Sequence, residues 1–448
     1  MGRLGPILSL LPRRRKRLDM SRFAPLPAGG YLVGGAVRDT LLGRESNDLD
    51  WLVEDPRLEA EAAGERLGSR PFQLDEDRNH WRLVAAERTL DFIPLEGSLE
   101  RDLRSRDFTI NALAADERGE ITDVTGGLDD LRRKVLRMNS EAVLREDPLR
   151  LLRAVRLRAR LGFSIEPATR MAVREGAELL ERGNQPLPAW ERVREELDAI
   201  ILSPAPGSAM SELEGLGLLS VFLPELSLAR GVDQGGFHHL DVLDHSLEAL
   251  QRVATIFPDA SVTLRWATLF HDVGKPETRD RGEDGRVHFY GHDRRGSELA
   301  RKAMKRLRRP ADEVDEIAGL VRYHMVQLPR TEKEARRFAH RRGRLLPDLL
   351  KLMIADREAA RGPLSSQATR RSYRVALSRI VAILDEEPPP EPLLDGREVM
   401  ELLGLEPGPR VGEALRFIAE ARAVGDIRER DEAVSALHEY AETRGWAR

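Results

Sequence analysis

The chain has 448 residues, of which 41% are hydrophobic, 5% aromatic and 33% charged, with a formal net charge of −4 at neutral pH. This length suffices for roughly two to four domains, and the low aromatic content favours helix-rich modules. The absence of cysteine excludes disulfides and thiolate metal sites and fits a reducing cytosol. Since no apolar stretch approaches the length of a membrane span, we expect a soluble, cytoplasmic protein.

Residues 1–22 are predicted to be a disordered basic tail. They carry Arg13-Arg14-Arg15-Lys16-Arg17 after a short apolar run, which is the reverse of the order in a secretory signal peptide. Met20 is a second candidate for the start of the chain, because the first pattern typical of a folded domain begins near Phe23.

The first stretch that indicates a binding site is a predicted strand followed directly by a glycine turn. Tyr31–Val33 is a short apolar run, and Gly34 and Gly35 follow it directly. Backbone N–H groups at the glycines would approach phosphate oxygens at the start of a helix over residues 36–42, which carries Arg38 in its first turn. A plain tight turn is the alternative interpretation.

Two acidic residues open the next predicted strand. Asp48 and Asp50 are separated by one residue, so their side chains project from the same face of a strand. Such a like-charge pair is costly unless divalent cations lie between the carboxylates, although a solvated loop or a helix cap is the commoner origin of an Asp-x-Asp. Residues 81–85 and 89–93 alternate like paired strands and carry Asp91, which is otherwise a strand-edge aspartate.

This stretch resembles the signature of the class II tRNA nucleotidyltransferases, the CCA-adding enzymes and bacterial poly(A) polymerases of the polymerase-β superfamily. The matching residues are Gly-Gly-x-Val-Arg-Asp-x-Leu-Leu-Gly at 34–43 and Asp-x-Asp at 48–50. The resemblance implies an α+β head in which Mg²⁺ ions are held by Asp48 and Asp50, with Asp91 as the candidate third carboxylate. It also implies that Gly34, Gly35 and Arg38 bind the triphosphate of a nucleotide.

A second stretch, Asp-Leu-Arg-Ser-Arg-Asp-Phe-Thr-Ile-Asn-Ala at 102–112, resembles another motif of the same family. The resemblance implies that Arg106 holds the triphosphate through its planar donor fork. Asp107 and Asn111 would read ribose hydroxyls or support the site. Family members often carry a second arginine where Ser105 stands, so one phosphate contact is missing from the pattern.

A basic helix is predicted to begin at Glu146 and to carry five arginines between residues 150 and 160. Asp147, Arg150 and Arg153 follow one another at three-residue spacing, so each is a surface neighbour of the next on a helix. A salt-bridged surface helix is the alternative. The Glu-Asp-x-x-Arg pattern resembles the family motif that pairs with the Watson–Crick edges of ATP or CTP, and residues 192–197 match the neck motif that would brace it.

A second site is predicted in the C-terminal half, where the pattern is mostly helical. Histidines and aspartates occur at helix-length intervals, namely His245, the adjacent pair His271-Asp272, His292, His324 and Asp356. Their order resembles the HD phosphohydrolase superfamily, in which such residues bind one or two divalent metals that activate water. Ni²⁺, Mn²⁺ and Mg²⁺ are the candidate ions, and a packed or vestigial histidine cluster is the alternative.

The predicted organisation comprises a tail at 1–22, a polymerase-β-like head at 23–145 with a small mixed sheet, a helical neck at 146–205, a helical HD domain at 206–380 and a helical tail at 381–448. The resemblance implies that C and/or A are added to the tRNA 3′ end from CTP and ATP without a nucleic-acid template. A poly(A) polymerase, and an HD phosphohydrolase whose head merely binds RNA ends, remain open as alternatives. The sequence does not predict an oligomeric state.

Overall fold

The protein, described here as a computed structural model, is defined for residues 17–234, 240–283, 287–360, 367–384 and 392–446. The chain divides into two compact units at Leu223 and Pro224. Among the described residues, no helix combines the length and the apolar composition needed to cross a membrane.

The first unit is built on a seven-stranded mixed sheet with the strand order β3-β4-β5-β2-β1-β6-β7. Its strands are β1 Tyr31–Val33, β2 Asp48–Val53, β3 Phe72–Asp75, β4 His80–Ala85, β5 Arg88–Pro94, β6 Leu113–Ala115 and β7 Ile121–Asp123. β2 and β5 are parallel, whereas the other neighbouring strands are antiparallel. The mixed sheet and the predicted pairing of residues 81–85 with 89–93 are both confirmed.

The helices of this unit follow from local signals in the sequence. They are α1 Gly35–Leu41, α2 Pro56–Leu67, α3 Leu99–Ser105, α4 Gly127–Arg133, α5 Glu141–Glu146, α6 Leu149–Leu161, α7 Pro167–Glu181, α8 Trp190–Ile201, α9 Pro206–Gly215 and α10 Leu218–Phe222, with a two-strand ladder of β8 Val135–Leu136 and β9 Ser164–Ile165. In α2, for example, Asp55 caps the N-terminus by accepting from the Leu58 N–H, and Gly68 ends the helix with φ +67°.

The second unit is predominantly helical. Its elements are α11 Pro224–Ser227, α12 Val242–Ile256, α13 Val262–Phe270, α14 Lys275–Thr278, α15 His292–Arg306, α16 Ala311–Tyr323, α17 Glu332–Arg342, α18 Leu346–Ala359, α19 Gln367–Leu384, α20 Gly396–Leu403, α21 Pro409–Ala423 and α22 Arg430–Thr443, with a short ladder of β10 Asp280–Arg281 and β11 Val287–His288. The apolar stripe of α12, which includes Leu243, Leu247 and Leu250, is buried. This packing of α12 against α13 and α18 brings polar residues of three helices together.

The N-terminal tail was predicted too long. Residues 17–22 are part of the first unit, in which Leu18 and Met20 are buried. The Leu18 N–H donates to the Gly119 carbonyl at 2.9 Å, and a Cβ at Gly119 would lie only 2.1 Å from the Leu18 carbonyl oxygen. The two segments therefore meet at a glycine that leaves room for backbone contact. Residues 1–16, with most of the basic run, lie outside the described residues.

Three predicted boundaries are also corrected. The HD domain was expected from residue 206, but α9 and α10 pack against α6, α7 and α8 of the first unit. The boundary at 380 falls inside α19. The basic helix does not begin at Glu146, since α5 ends there and α6 begins at Leu149. The break has a local cause, because the residue before a proline is driven to extended backbone, and Asp147 before Pro148 has φ −134° and ψ 103°.

Candidate functional site

The turn between β1 and α1 is formed by a glycine at which a side chain would be strained. Gly34 has φ +71°, and a Cβ at this position would lie 3.0 Å from Arg106 Nη1 and 3.4 Å from Asp50 Oδ2. Glycine thus lets a guanidinium and a carboxylate approach the first turn of α1, where the leading N–H groups of a helix have no intrahelical partner. Gly34 and Gly35 both line a cavity of about 460 Å³.

The acidic pair lies on the wall of the same cavity. Asp48 and Asp50 open β2 and line the cavity together. Burial raises the pKa of Asp50, Arg106 opposes this shift, and the Asp91 and Asp48 carboxylates reinforce it. Crowded carboxylates in a partly desolvated wall gain most from a divalent cation, so this donor set fits the metal that the sequence predicted.

Asp91 lies next to this pair, but its carboxylate forms an ion pair with Arg82. The parallel register of β2 and β5 places Asp91 opposite Asp50, and the antiparallel register of β4 and β5 places Arg82 opposite Asp91. Arg82 donates from Nε to Oδ1 and from Nη2 to Oδ2 of Asp91, each at 2.7 Å. Asp91 does not line the cavity, and its part as a metal ligand stays a prediction.

Arg38 is placed at the cavity with its donors already in use. Its side chain is buried, and Nε and Nη2 donate to the two carboxylate oxygens of Asp39 at 2.8 and 2.9 Å. Nη1 donates to Asn111 Oδ1 at 2.6 Å. Arg160 of α6 pairs with the same Asp39 at 3.2 Å. The predicted phosphate contact of Arg38 therefore requires that a ligand compete with Asp39 or Asn111.

A buried ion network joins the predicted ribose-binding residue to α6 and α8. Arg153 Nη1 donates to Asp107 Oδ2 at 2.9 Å, and its Nε donates to Glu196 Oε1 at 3.3 Å. Arg156 Nε lies 2.7 Å from the other oxygen of Glu196. Burial would raise the pKa of Asp107, but Arg153 and Asn111 lower it below its usual value. Asp107 is thus held ionised at the cavity wall.

Replacement of Glu196 by alanine is expected to lower the free energy of unfolding by about 3–5 kcal/mol, because it leaves Arg153 and Arg156 without their shared carboxylate. Glu196 is buried, and burial raises its pKa although Arg156 and Arg153 oppose the shift. The free energy of unfolding is measured by denaturant titration for this variant and for the control Glu195→Gln, which changes an exposed carboxylate on the same helix. An equal decrease in both variants would contradict the network.

The residues that the sequence predicts to select the base lie around the break between α5 and α6. Arg150 and Arg153 line the cavity, and Arg150 Nη1 donates to the Val143 carbonyl at 2.7 Å. Asp147 is not among the lining residues; it accepts from the Leu149 N–H at 3.0 Å and from Arg192 Nη2 at 2.8 Å. Burial would raise the pKa of Asp147, but the bond from Arg192 holds it below its usual value. Arg192 is the first residue of the predicted bracing segment.

The second unit contains a dense cluster of possible metal ligands. All the predicted HD residues come together there, as one group of His245, His271 and Asp356 and another of Asp272, His292 and His324. The closest approaches are 2.9 Å from His245 Nε2 to Asp356 Oδ1 and 3.1 Å from His271 Nε2 to Asp272 Oδ2. His292 and His324 approach Asp272 Oδ1 at 3.5 and 3.6 Å.

The histidine rings are oriented as metal ligands require. His271, His292 and His324 each have Nδ1 at 2.7 Å from a backbone carbonyl three residues earlier in the chain. A carbonyl only accepts, so Nδ1 carries a proton and, in the neutral ring, Nε2 offers its lone pair to the centre. Burial would lower the pKa of His271, but Asp272 and Asp356 outweigh burial and raise it to about 10. This negative environment fits divalent cations.

One residue at this centre was missed by the sequence interpretation. Lys275 is buried and donates from Nζ to Asp272 Oδ2 and to Gln234 Oε1, both at 2.6 Å. Its position three residues after Asp272 was the available signal, since a turn at that spacing brings two side chains together.

A mixed sheet with a glycine turn, an acidic pair and a cavity lined by arginines defines a nucleotidyltransferase head, and comparison with known proteins agrees. A family model described as the poly A polymerase head domain matches residues 30–87 and 61–137. One described as the "Probable RNA and SrmB- binding site of polymerase A" matches residues 162–229, and the HD domain model matches residues 242–361.

Two curated relatives extend this match over nearly the whole chain. The A-adding tRNA nucleotidyltransferase of Deinococcus radiodurans is 53% identical over 420 residues, which cover 93% of this chain and 97% of the relative. The CC-adding tRNA nucleotidyltransferase of Thermus thermophilus is 48% identical over 412 residues, which cover 92% and 93%. The chain therefore belongs to the family of tRNA nucleotidyltransferases with a poly(A) polymerase-type head and an HD domain.

Two solved structures of CCA-adding enzymes resemble the chain. The Bacillus stearothermophilus CCA-adding enzyme in complex with CTP aligns with a TM-score of 0.65 and 25% identity, covering 93% of this chain and 94% of that one. The Thermotoga maritima CCA-adding enzyme complexed with tRNA aligns with a TM-score of 0.57 and 21% identity over 92% and 91%. The second likeness supports the fold alone.

Proposed function

We propose that the first unit adds C, A or both to the 3′ end of tRNA from CTP and ATP, without a nucleic-acid template. The observation that carries this proposal is the single cavity that joins the glycine turn and the Asp48/Asp50 pair to the arginines of α6. Triphosphate, metal and base would thus be held within one space, as phosphoryl transfer requires.

The chain's own residues account for the parts of this reaction. The glycine turn and Arg106 bind the triphosphate, while Asp107 is held ionised beside Arg153 for the ribose. Mg²⁺ is the cation proposed for Asp48 and Asp50, where it would lower the pKa of the attacking tRNA hydroxyl and offset developing phosphate charge. Arg150 and Arg153, which line the same cavity, would donate to the base.

The two curated relatives differ in the nucleotides that they are named for adding. The A-adding relative is 53% identical to this chain and the CC-adding relative 48%. The higher identity favours addition of the terminal A to a tRNA that already ends in CC. A poly(A) polymerase remains the alternative from the same family, and it differs in the length of its product.

Product length separates these functions. We expect the protein to extend an unlabelled tRNA transcript by at most three nucleotides when ATP and CTP are in excess, as resolved on a sequencing gel. A matched RNA hairpin serves as the control. Long homopolymeric A tails on both RNAs would instead identify a poly(A) polymerase.

The role of Asp147 in base selection is tested by its replacement with alanine. In the structure this carboxylate is bonded to Arg192, so reading a base requires that the bond be exchanged for an exocyclic amine. Loss of one or two hydrogen bonds to the base is expected to cost about 1–3 kcal/mol, or roughly tenfold to a hundredfold, in discrimination against UTP and GTP. Single-turnover incorporation of each of the four NTPs is measured for Asp147→Ala and for the control Glu181→Ala, which changes an exposed residue. The same nucleotide preferences in both variants would show that Asp147 does not contact the base.

We further propose that the second unit is a metal-dependent phosphohydrolase. The observation that favours it is the set of three histidines, His271, His292 and His324, whose Nδ1 atoms bond to backbone carbonyls and whose Nε2 atoms converge on Asp272. Ni²⁺, Mn²⁺ and Mg²⁺ are the candidate ions, and such an ion would supply an activated water.

The cytoplasmic location of the protein stays a prediction.

A further inference from the structure

The carboxylates of Asp48, Asp50 and Asp91 differ in their basic neighbours. Asp91 receives two parallel hydrogen bonds from Arg82, at 2.7 Å each. In the part of the chain that the structure describes, neither Asp48 nor Asp50 has an arginine or lysine at ion-pair distance. A bidentate guanidinium pair is among the strongest neutralising contacts that a carboxylate can make.

The pair is fixed by the sheet rather than by a flexible loop. Arg82 and Asp91 are direct partners across β4 and β5, and Asp91 and Asp50 are direct partners across β5 and β2. The side chains of Arg82 and Asp91 are 35% and 18% exposed. Neighbours at such positions lie within side-chain reach on the same face of a sheet, so the Arg82 charge is held close to the acidic pair.

The charge of Arg82 affects how strongly the neighbouring carboxylates would bind a cation. Three neighbouring carboxylates would bind a divalent cation very tightly, and they would repel one another when it left. The guanidinium offsets one of these charges, so the Arg82–Asp91 pair adds no net charge beside Asp48 and Asp50. A cation that used Asp91 would have to displace Arg82 and lose two charge-assisted bonds.

We propose that Arg82 and Asp91 form a fixed ion pair that sets the cation affinity of the head, with Asp91 positioning Arg82 instead of binding the metal. Asp48 and Asp50 then provide the protein's ligands alone. This inference rests on the proposed nucleotidyltransferase function, because that function is what places a cation at Asp48 and Asp50. It makes Arg82 a positioning residue that acts through charge.

Binding of Mn²⁺ tests the proposal without reference to activity. Free Mn²⁺ is measured by electron paramagnetic resonance during titration of the full chain, and the isotherm of Asp48→Asn/Asp50→Asn is subtracted to remove ions bound in the HD unit. Removal of the Arg82 charge in Arg82→Gln is expected to tighten Mn²⁺ binding at the head about tenfold, since a unit charge near the site no longer opposes the ion. Arg88→Gln, an exposed arginine on β5, is the control and is expected to bind as the parent does.

The double variant Arg82→Gln/Asp91→Asn separates a ligand from a positioning residue. It removes both charges of the pair, so Mn²⁺ affinity at the head is expected to stay within about threefold of the parent. A tenfold or greater loss in the folded double variant would show that Asp91 is a ligand, and unchanged affinity in Arg82→Gln would show that Arg82 does not set it. Either result overturns the proposal. Failure of the parent to extend tRNA is a separate outcome, which would refute the function and not the ion pair.

Discussion

Replacement of Asp48 and Asp50 together by asparagine is expected to lower nucleotide addition by on the order of 10³-fold or more, because a metal that stabilises transferring phosphate is worth several kcal/mol. The two carboxylates begin the same strand and line the same cavity. Asparagine keeps their shape but offers much weaker metal ligation. Single-turnover extension of a tRNA transcript with labelled ATP or CTP measures the loss.

The same substitution should leave the fold intact. Burial and neighbouring carboxylates raise the pKa of Asp50, so a neutral amide at this position is tolerated at least as well as the ionised acid. Glu54→Gln, at the exposed position after β2, is the matched control and should retain the parent rate. A folded double variant that extends tRNA as fast as this control would show that the metal site lies elsewhere.

The second large effect is expected in the other unit. The substitutions His271→Gln and Asp272→Asn together should eliminate metal-dependent hydrolysis of p-nitrophenyl phosphate or of a 2′,3′-cyclic phosphate, while tRNA extension continues. Asp272 is approached by His271, His292, His324 and Lys275, so it links both candidate metal groups. Asparagine is preferred to alanine here because Lys275 is buried and would otherwise lose a partner.

Hydrolysis is measured with Ni²⁺, Mn²⁺ and Mg²⁺ in turn, and tRNA extension is measured on the same preparations. His438→Gln, an exposed histidine on α22, is the control for loss of an imidazole. Persistent hydrolysis in the folded double variant would place that activity outside the HD centre. The absence of hydrolysis in the parent protein with all three ions would contradict the proposed phosphohydrolase.

The parts of the site that the sequence predicted are those fixed by local geometry. Gly34 and Gly35 end a three-residue strand and begin a helix, and the two-residue period of a strand places Asp48 and Asp50 on one face. The histidines of the second unit were predicted because their order along the chain, together with the aspartates, resembles that of the HD phosphohydrolase superfamily. Their convergence is consistent with helices that pack through a shared apolar stripe.

The parts that were missed depend on contacts between distant segments. Whether Asp91 meets Arg82 or a cation depends on the registers of three strands, which a sequence pattern does not specify. The bond from Arg192 to Asp147 likewise joins residues on separate elements. Leu18 is an example at the terminus, since its burial depends on a partner near Gly119 and not on the basic residues before it.

The identity of the nucleotides that the protein adds is the most direct test of the proposed function. Transcripts of one tRNA that end before CCA, after C and after CC are incubated with each labelled NTP singly and with all four together, and the products are sequenced. We predict that A and/or C alone are incorporated, that no more than the CCA sequence is completed, and that A is added to the transcript ending in CC. Incorporation of all four nucleotides with similar efficiency, or no extension of any transcript by the folded parent, would contradict the proposed function.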